Sequence, residues 1–286
     1  MTLPLSPVGR RYGYRKDKAD FRDFGMHRFS HFAEPIPLPA VVDLEPFCGP
    51  VRDQGQQGSC TAHAGVGVRE FLARKYQPSV TPPPVLSPAF LYYLERLMDD
   101  FWATNNRWPT NDELLAIVKT NPAVDDTGSS GRTSLRTMNQ FGVCTLDAEP
   151  YSDADFTTPP TDAQIAEALL YKSGAYHRIS IVQDMKSCLA SLYVFAIGFT
   201  VFQSFESDQM ASDGIWSPDK ANESILGYHE PYVIGYDDSV NGGSFKVRNS
   251  WSAAWGDKGN FWLRYQDAGD SDILLDAWMQ HLGPAW

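Results

Sequence analysis

Cysteine is scarce in this 286-residue chain: only Cys48, Cys60, Cys144 and Cys188 occur. Four thiols are too few for a disulfide-built scaffold, and their spacing matches no zinc site. No apolar run approaches the ~18 residues of a membrane span. The first residues, MTLPLSPVGRRYGYRKD, lack the basic start and apolar core of an ordinary secretory signal. The expected location is therefore cytoplasmic, or outside the cell by a route without a recognisable signal. Positive charge is also in deficit, with 24 Lys and Arg against 35 Asp and Glu and a net charge of −11. An acidic surface repels phosphate, which argues against nucleic acid and anionic membranes as main partners. No internal repeat is present. Apolar residues make up 43% and aromatics 13%, enough to build a sizeable core and to exclude global disorder.

Charge is unevenly placed. Residues 1–31 carry seven Lys or Arg and three Asp, an excess of four positive charges on an otherwise strongly acidic chain. This leader also holds Tyr12, Tyr14, Phe21, Phe24 and Phe29, more aromatics than a solvated tail needs, so it is expected to dock onto the acidic body. Pro35, Pro37 and Pro39 make EPIPLPAVVD an extended linker, because proline denies its predecessor the helical region. The expected division is a leader over 1–37, a mostly helical lobe over 38–175 and a β-rich lobe over 176–286.

Within the helical part, CGPVRDQGQQGSC (48–60) reads as a loop. From there Cys60, Ala64, Gly67, Val68, Phe71 and Leu72 recur at three- and four-residue spacing, predicting a helix over 59–76 with Ser59 as N-cap. LSPAFLYYLERLMDD predicts a second, capped by Ser87 with Pro88 in its first turn. Further helices are expected at 111–119, 132–141 and 161–171, the last capped by Thr161 or Asp162. Beyond about residue 175, YVFAIGFTVFQSF, HEPYVIGYDD, SFKVRNSW and NFWLRY read as strands, with NGG at 241–243 a hairpin-type turn. Helices first and strands second predict an α+β fold in two segregated halves.

The loop-to-helix junction carries the chemistry. Cys60 stands in the first helical turn, where unpaired amides and the helix dipole favour an anion and should lower a thiol's pKa. A thiolate nucleophile needs an imidazole partner and a third group to orient it. His229 and Asn249 fit by their positions beside strand-like runs.

Three local texts then speak together. DQGQQGSCTAHA resembles the nucleophile segment of papain-like cysteine peptidases. YHEPYVIGYDD resembles their histidine segment, with His229 six residues before Gly235-Tyr236. FKVRNSWSAAWGDKGNFWLRY resembles their asparagine segment, and the order is the family's. LPAVVDL (38–44) resembles the family's mature start, and the acidic, disulfide-poor style and the leader resemble its prokaryotic branch. The resemblance spans roughly residues 38–265. It implies a two-lobed fold, a helical left lobe and an antiparallel, barrel-like right lobe, with the cleft between them. It implies a cysteine endopeptidase without metal or organic cofactor, acting on extended or unfolded polypeptide through a thioester. It also implies roles: Cys60 as nucleophile, His229 as proton carrier, Asn249 as its orienter, and Gln54 with the Cys60 amide as donors to the oxyanion, one such donor being worth ~3–4 kcal/mol. Trp251 would stand beside the cleft and shield the His–Asn bond. An isopeptidase or acyl-transferase using the same triad, and a catalytically inactive binding module, remain alternatives.

Departures from the family pattern are plain. Thr61 replaces the tryptophan after the nucleophile and Gln57 a cysteine, so the family disulfide there is lost. Glu230 follows His229 where a small residue is usual; on a continuing strand it would point away from the imidazole's face. Cys60 and His229 are 169 residues apart, so insertions are expected, at 77–87 and 99–112. Gly128 and Ser129, with Asp126 and Thr127, resemble the region lining the substrate cleft, a simple turn being the alternative. Tyr228 is expected near the pocket for the second residue before the scissile bond. His63 is the rival imidazole, expected to be structural or solvent-facing. His27 and His31, four apart, suit a docking or exposed tail better than a metal site, for want of a third ligand. The leader is expected to pack on the cleft as an intramolecular inhibitor.

Overall fold

A computed structural model describes residues 3–17, 20, 23, 25 and 38–283. Pro35 and Pro37 of the linker, His27, His31, Phe21, Phe24 and Phe29 lie outside the described residues.

The fold is organised around one helix. After β1 (Val41–Asp43), helix α1 (Cys60–Tyr76) is buried on every side from Cys60 to Ala73. Ala64, Val68, Phe71 and Leu72 enter the core under the sheet, while Ala62 and Val66 enter a second core among the helices. Two glycines permit this double packing. A Cβ on Gly65 would lie 2.6 Å from the Ser134 hydroxyl, and one on Gly67 2.6 Å from the Tyr232 ring. Glu70, charged yet buried in α1, is met by Arg52 through two hydrogen bonds (2.6 and 3.1 Å) and by the Leu86 amide at 2.7 Å. That pairing ties the loop before the nucleophile to the helix that bears it, and compensates a carboxylate that would otherwise be costly to bury.

The helical half follows its local signals. Helix α2 (Pro88–Asn105) starts with the Ser87 hydroxyl accepting from the Phe90 amide, and ends at left-handed Asn106, running past the expected Asp100. Helix α3 (Asn111–Lys119) has a Thr110–Glu113 capping box and occupies the expected span. Helix α4 (Gly131–Gln140) begins at the Ser130 cap. Helix α5 (Asp162–Ala168), capped by Thr161 and Gln164, continues as a 3-10 turn over Leu169–Tyr171.

The sheet contains β1, β2 (Ser173–Ile179), β3 (Phe195–Phe202), β4 (Ile215–Trp216), β5 (Ile225–His229), β6 (Tyr232–Asp237), β7 (Ser244–Arg248), β8 (Asn260–Arg264) and β9 (Leu274–Leu282). Its main path is β2-β9-β3-β6-β7-β8-β4, with β1 on β6 and β5 on β3. All pairs are antiparallel except β4 with β8. The sheet is open, ending at β2 and β4 rather than closing as a barrel. The NGG turn joins β6 to β7, with Asn241, Gly242 and Gly243 all at positive φ. β1 crosses from the helical part of the chain to pair with β6.

Strand β9 is absent from the strand-like stretches read above, yet it lies between β2 and β3 in the sheet. Buried Asp276 and Gln280 interrupt its apolar pattern, which is why alternation does not announce it.

Candidate active site

The nucleophile loop is held by hydrogen bonds on both sides of Cys60. Asp126, fully buried, accepts from the Gly58 amide (3.0 Å) and from the Tyr92 hydroxyl. Tyr92 accepts in turn from the Gly128 amide at 3.0 Å, so the turn containing Gly128 and the loop before Cys60 share one anchor. Ser59 occupies the N-cap position, but its hydroxyl is hydrogen-bonded to that of Tyr151 (2.8 Å) and does not cap the helix. Thr61 donates to Glu95 on α2 at 2.6 Å, a polar anchor in place of the family's tryptophan. Buried Gln57 donates to the Ser152 carbonyl at 3.3 Å.

Gln54 is fixed against the residue that follows Asn249. Its backbone amide donates to the Ser250 carbonyl (2.9 Å) and its Oε1 accepts from the Ser250 hydroxyl (2.6 Å). Its Nε2 donates to the Gln57 carbonyl at 2.9 Å, which uses one of its two protons.

His229 closes β5 and is fully buried. Its Nε2 lies 2.8 Å from Asn249 Oδ1, an oxygen that also accepts the Ser250 amide at 2.8 Å. Asn249 therefore presents an acceptor, and Nε2 carries the proton. In the neutral ring Nδ1 is then left as the base, and Nδ1 has no protein hydrogen-bond partner. The Trp251 ring lies beside the imidazole, centroids 5.2 Å apart, and is itself buried. His63 is buried too, but its Nδ1 is 3.0 Å from the Ser59 carbonyl and its ring edges onto Tyr151. Burial holds its pKa down to about 3, so it is a neutral structural imidazole. All four cysteines are free thiols.

Leader residues 9–17 occupy the space in front of these groups. Gly13 crosses Gly58, and the Ser129 amide donates to the Gly13 carbonyl (2.8 Å) while the Arg15 amide donates to the Ser129 carbonyl (2.7 Å). This pairing is parallel about Tyr14. On the other side the Tyr14 amide donates to the Tyr228 carbonyl at 3.2 Å; Tyr228 itself is 40% exposed. The Tyr12 ring stands edge-on to His229 (6.2 Å between centroids), and its hydroxyl donates to Glu206. Basic residues meet acids and aromatics: Arg10 reaches Asp53 (3.2 Å) and lies over Trp251, Arg11 is 3.7 Å from Asp126, and Arg15 pairs with Asp99. Asp17 accepts from the Ser130 hydroxyl (2.7 Å) and the Arg132 amide (2.9 Å).

Burial sets the electrostatics of these groups. Burial, reinforced by Glu230, pushes the Cys60 thiol well up, and the backbone amides of Glu230 and Thr61 offset only part of this. Burial also pushes His229 down, to about 4. Both shifts favour the uncharged forms, contrary to the lowered thiol pKa expected from the helix terminus alone; desolvation outweighs the dipole. β5 ends at His229, and the next residue, Glu230, is buried, where burial, Asp276, Glu95 and Asp17 hold its pKa well up.

Sequence reasoning missed Asp126 as the loop's anchor, Asp276, Glu95 and Glu206. Each is an acid far in sequence from the group it meets, with no local motif to mark it. Among the described residues no cluster of three or more His, Cys, Asp or Glu is disposed to hold a metal, and no helix is long and apolar enough to cross a membrane.

Residues 119–279 match the model of the papain family cysteine proteases, a span that includes His229 and Asn249 and begins beyond Cys60. An uncharacterized peptidase C1-like protein of Acanthamoeba polyphaga mimivirus is 29% identical over 300 residues, covering 97% of this chain and 88% of its own length. Among solved structures, xylellain, a cysteine protease from Xylella fastidiosa, superposes with a TM-score of 0.78 at 28% identity, over 96% of each chain. Digestive procathepsin L2 from the Tenebrio molitor larval midgut shares the fold, with a TM-score of 0.69 at 18% identity over 97% of this chain and 81% of its own.

Proposed function

The chain belongs to the papain family of cysteine proteases, and from that premise we propose that it cleaves peptide bonds within extended polypeptide through Cys60, His229 and Asn249, with residues 3–17 restraining the cleft. The observation that carries the reading is the orientation of His229: Nε2 is committed to Asn249 at 2.8 Å and Nδ1 is left without a protein partner. An imidazole so fixed can take a proton from a thiol on one side only.

The steps follow from the groups present. Cys60 loses its proton to His229 Nδ1 and its sulfur attacks the scissile carbonyl carbon. The oxyanion is met by the Cys60 amide and the second Nε2 proton of Gln54, the first being held by the Gln57 carbonyl. His229 then returns its proton to the departing amine, and water hydrolyses the thioester by the reverse use of the same base. Asn249 accepts the Nε2–H throughout, so the ring keeps one orientation while its charge changes.

The leader acts at two levels in this reading. It blocks peptide from the Ser129 edge, whose backbone groups it uses. It also keeps water from the reacting pair, favouring the uncharged thiol and imidazole. Displacement readmits polar surroundings and allows the ion pair to form.

The test is covalent labelling of the whole chain with a thiol-directed epoxide, together with turnover of a quenched peptide mixture. Modification at Cys60 that needs His229 and abolishes turnover is the expected result. Turnover that persists in Cys60→Ser rejects the assignment.

A further inference from the structure

A small cavity of about 10 Å³ adjoins Asn249, with His63, Gly67, Tyr232 and Arg248 also on its wall. A single water needs ~10–15 Å³ of such space, so the cavity admits one and not two. Most polar side chains around it are already committed. Arg52 is bonded to Glu70, Arg248 to Asn260 and the Gly49 carbonyl, and the Ser250 hydroxyl to Gln54. The Glu230 carboxyl lies against Gly131, which is not part of the wall.

Two groups on the wall are left over. Asn249 is 3% exposed; its Oδ1 accepts from His229 and from the Ser250 amide, while its Nδ2 has no protein partner. Leaving that donor unpaired in a buried position costs stability. His63 is equally buried, and both hydrogen bonds of its ring are made by Nδ1. One of them ends on the Ser59 carbonyl, which can only accept, so Nδ1 carries the proton. Burial keeps the ring neutral, and Nε2 is therefore a bare lone pair. A donor lacking an acceptor and an acceptor lacking a donor border the same space.

We propose that His63 is a positioning residue for catalysis: one water seated in this cavity accepts from Asn249 Nδ2 and donates to His63 Nε2, and so steadies the carboxamide that steadies His229. This rests on the reading of Cys60 and His229 as the reacting pair. The bridge joins parts that arrive from distant stretches of chain. Ser59, beside the nucleophile, holds His63, and the water relays that hold to Asn249 and His229. The Ser59 hydroxyl also meets Tyr151, whose own hydroxyl donates to the Gln54 carbonyl at 2.9 Å, so the oxyanion donor belongs to the same set of bonds. A water-mediated bond is nearly as good as a direct one. Donation from Nδ2 also polarises the carboxamide and makes Oδ1 the stronger acceptor, which matters most while the imidazole is charged. His63 does not touch the substrate, so its loss should be felt in kcat rather than KM.

The experiment compares three variants of the full chain by steady-state kinetics. His63→Asn keeps a donor for the Ser59 carbonyl and loses the acceptor at the Nε2 position. His63→Gln brings a carbonyl oxygen to the cavity and gives up the Ser59 bond. His63→Leu keeps neither. The expected result is a fall in kcat of about three- to tenfold for asparagine and leucine with KM unchanged, and recovery of most of kcat with glutamine. In an Asn249→Ala background His63→Asn should cost nothing more, because both changes remove one bridge. A purely structural imidazole anchored on Ser59 gives the reverse order, asparagine active and glutamine impaired, and that order overturns the proposal. Because a variant can fail for want of folding, nitrogen-15 spectra of the histidines in the unaltered full chain decide independently. His63 should show a protonated Nδ1 and an unprotonated Nε2 that accepts a hydrogen bond; a protonated Nε2, or one that accepts none, overturns the bridge. Cleavage that survives Cys60→Ala overturns the catalytic reading instead, and the positioning role falls with it.

Discussion

Gly13 crosses Gly58 at a separation that admits no side chain: a Cβ on Gly13 would lie 1.8 Å from the Gly58 carbonyl oxygen. The loop it presses on is fixed by Asp126, so it cannot retreat cheaply. Gly13→Ala should therefore unseat the leader while leaving the body intact. An overpacking cost of ~1–3 kcal/mol predicts about a five- to hundredfold rise in peptide turnover by the full chain. Alkylation of Cys60 should accelerate in step, since uncovering the cleft restores solvent to the thiol. Unchanged turnover and alkylation would mean that the leader does not restrain the site.

Asn249 holds only one end of the imidazole, so its loss should weaken catalysis without ending it. Asn249→Ala removes the acceptor of the Nε2 proton and frees the ring to turn. Loss of a hydrogen bond to a group that becomes charged is worth ~1.5–3 kcal/mol, or about ten- to hundredfold in kcat/KM. Cys60→Ser, by contrast, should abolish hydrolysis. Steady-state kinetics on the two variants, with circular dichroism to confirm folding, separates these outcomes.

Seating of the leader should depend on pH through Asp17. Burial, with Asp276 close by, raises its pKa from 3.8 to about 7, against the Ser130 hydroxyl, Arg132 and the Arg132 amide that lower it. The seated form thus binds a proton that the released leader gives up. Its stability is fully present below about 4 and is lost as pH rises through about 7, by up to ~1.4 kcal/mol per unit within that window. Hydrogen exchange of the Tyr14 and Arg15 amides should speed up between about pH 4 and 7 beyond the intrinsic effect of hydroxide, and follow the intrinsic effect alone above about 7. Asp17→Asn should remove that excess. An excess that persists in Asp17→Asn would assign the dependence to another group.

Asp126 should matter for stability more than its position in a loop suggests. Asp126→Ala deprives the Gly58 amide and the Tyr92 hydroxyl of their acceptor inside the protein. Stranding two buried donors predicts a loss of ~2–5 kcal/mol, read as a lower midpoint in chemical denaturation. Asp126→Asn keeps an acceptor and should lose less. If alanine costs no more than asparagine, the anchor is not doing what its hydrogen bonds indicate.

Much of the fold follows from short-range signals. The caps at Ser87, Thr110 and Thr161 act within one helical turn, so their sequences announce them, and α3 spans the residues expected. The His229–Asn249 pair was legible only through the family's local texts, since twenty residues separate its members. Asp276 and Glu230 were not legible. The first sits in a strand whose apolar alternation it breaks, and the second leaves its strand one residue earlier than periodicity implies. Long-range placement of acids is decided by tertiary packing, on which neighbouring residues are silent.

The leader comes near the front of the chain, whereas His229, Trp251 and Asp276, which receive it, come in the last third. On a ribosome the former is made first and waits for the latter. On the proposed reading the leader can seat only when translation is nearly complete, but it is then already tethered to its target at high effective concentration. If residues 3–17 restrain the cleft as proposed, the order of synthesis leaves no interval in which a finished cleft exists without them attached.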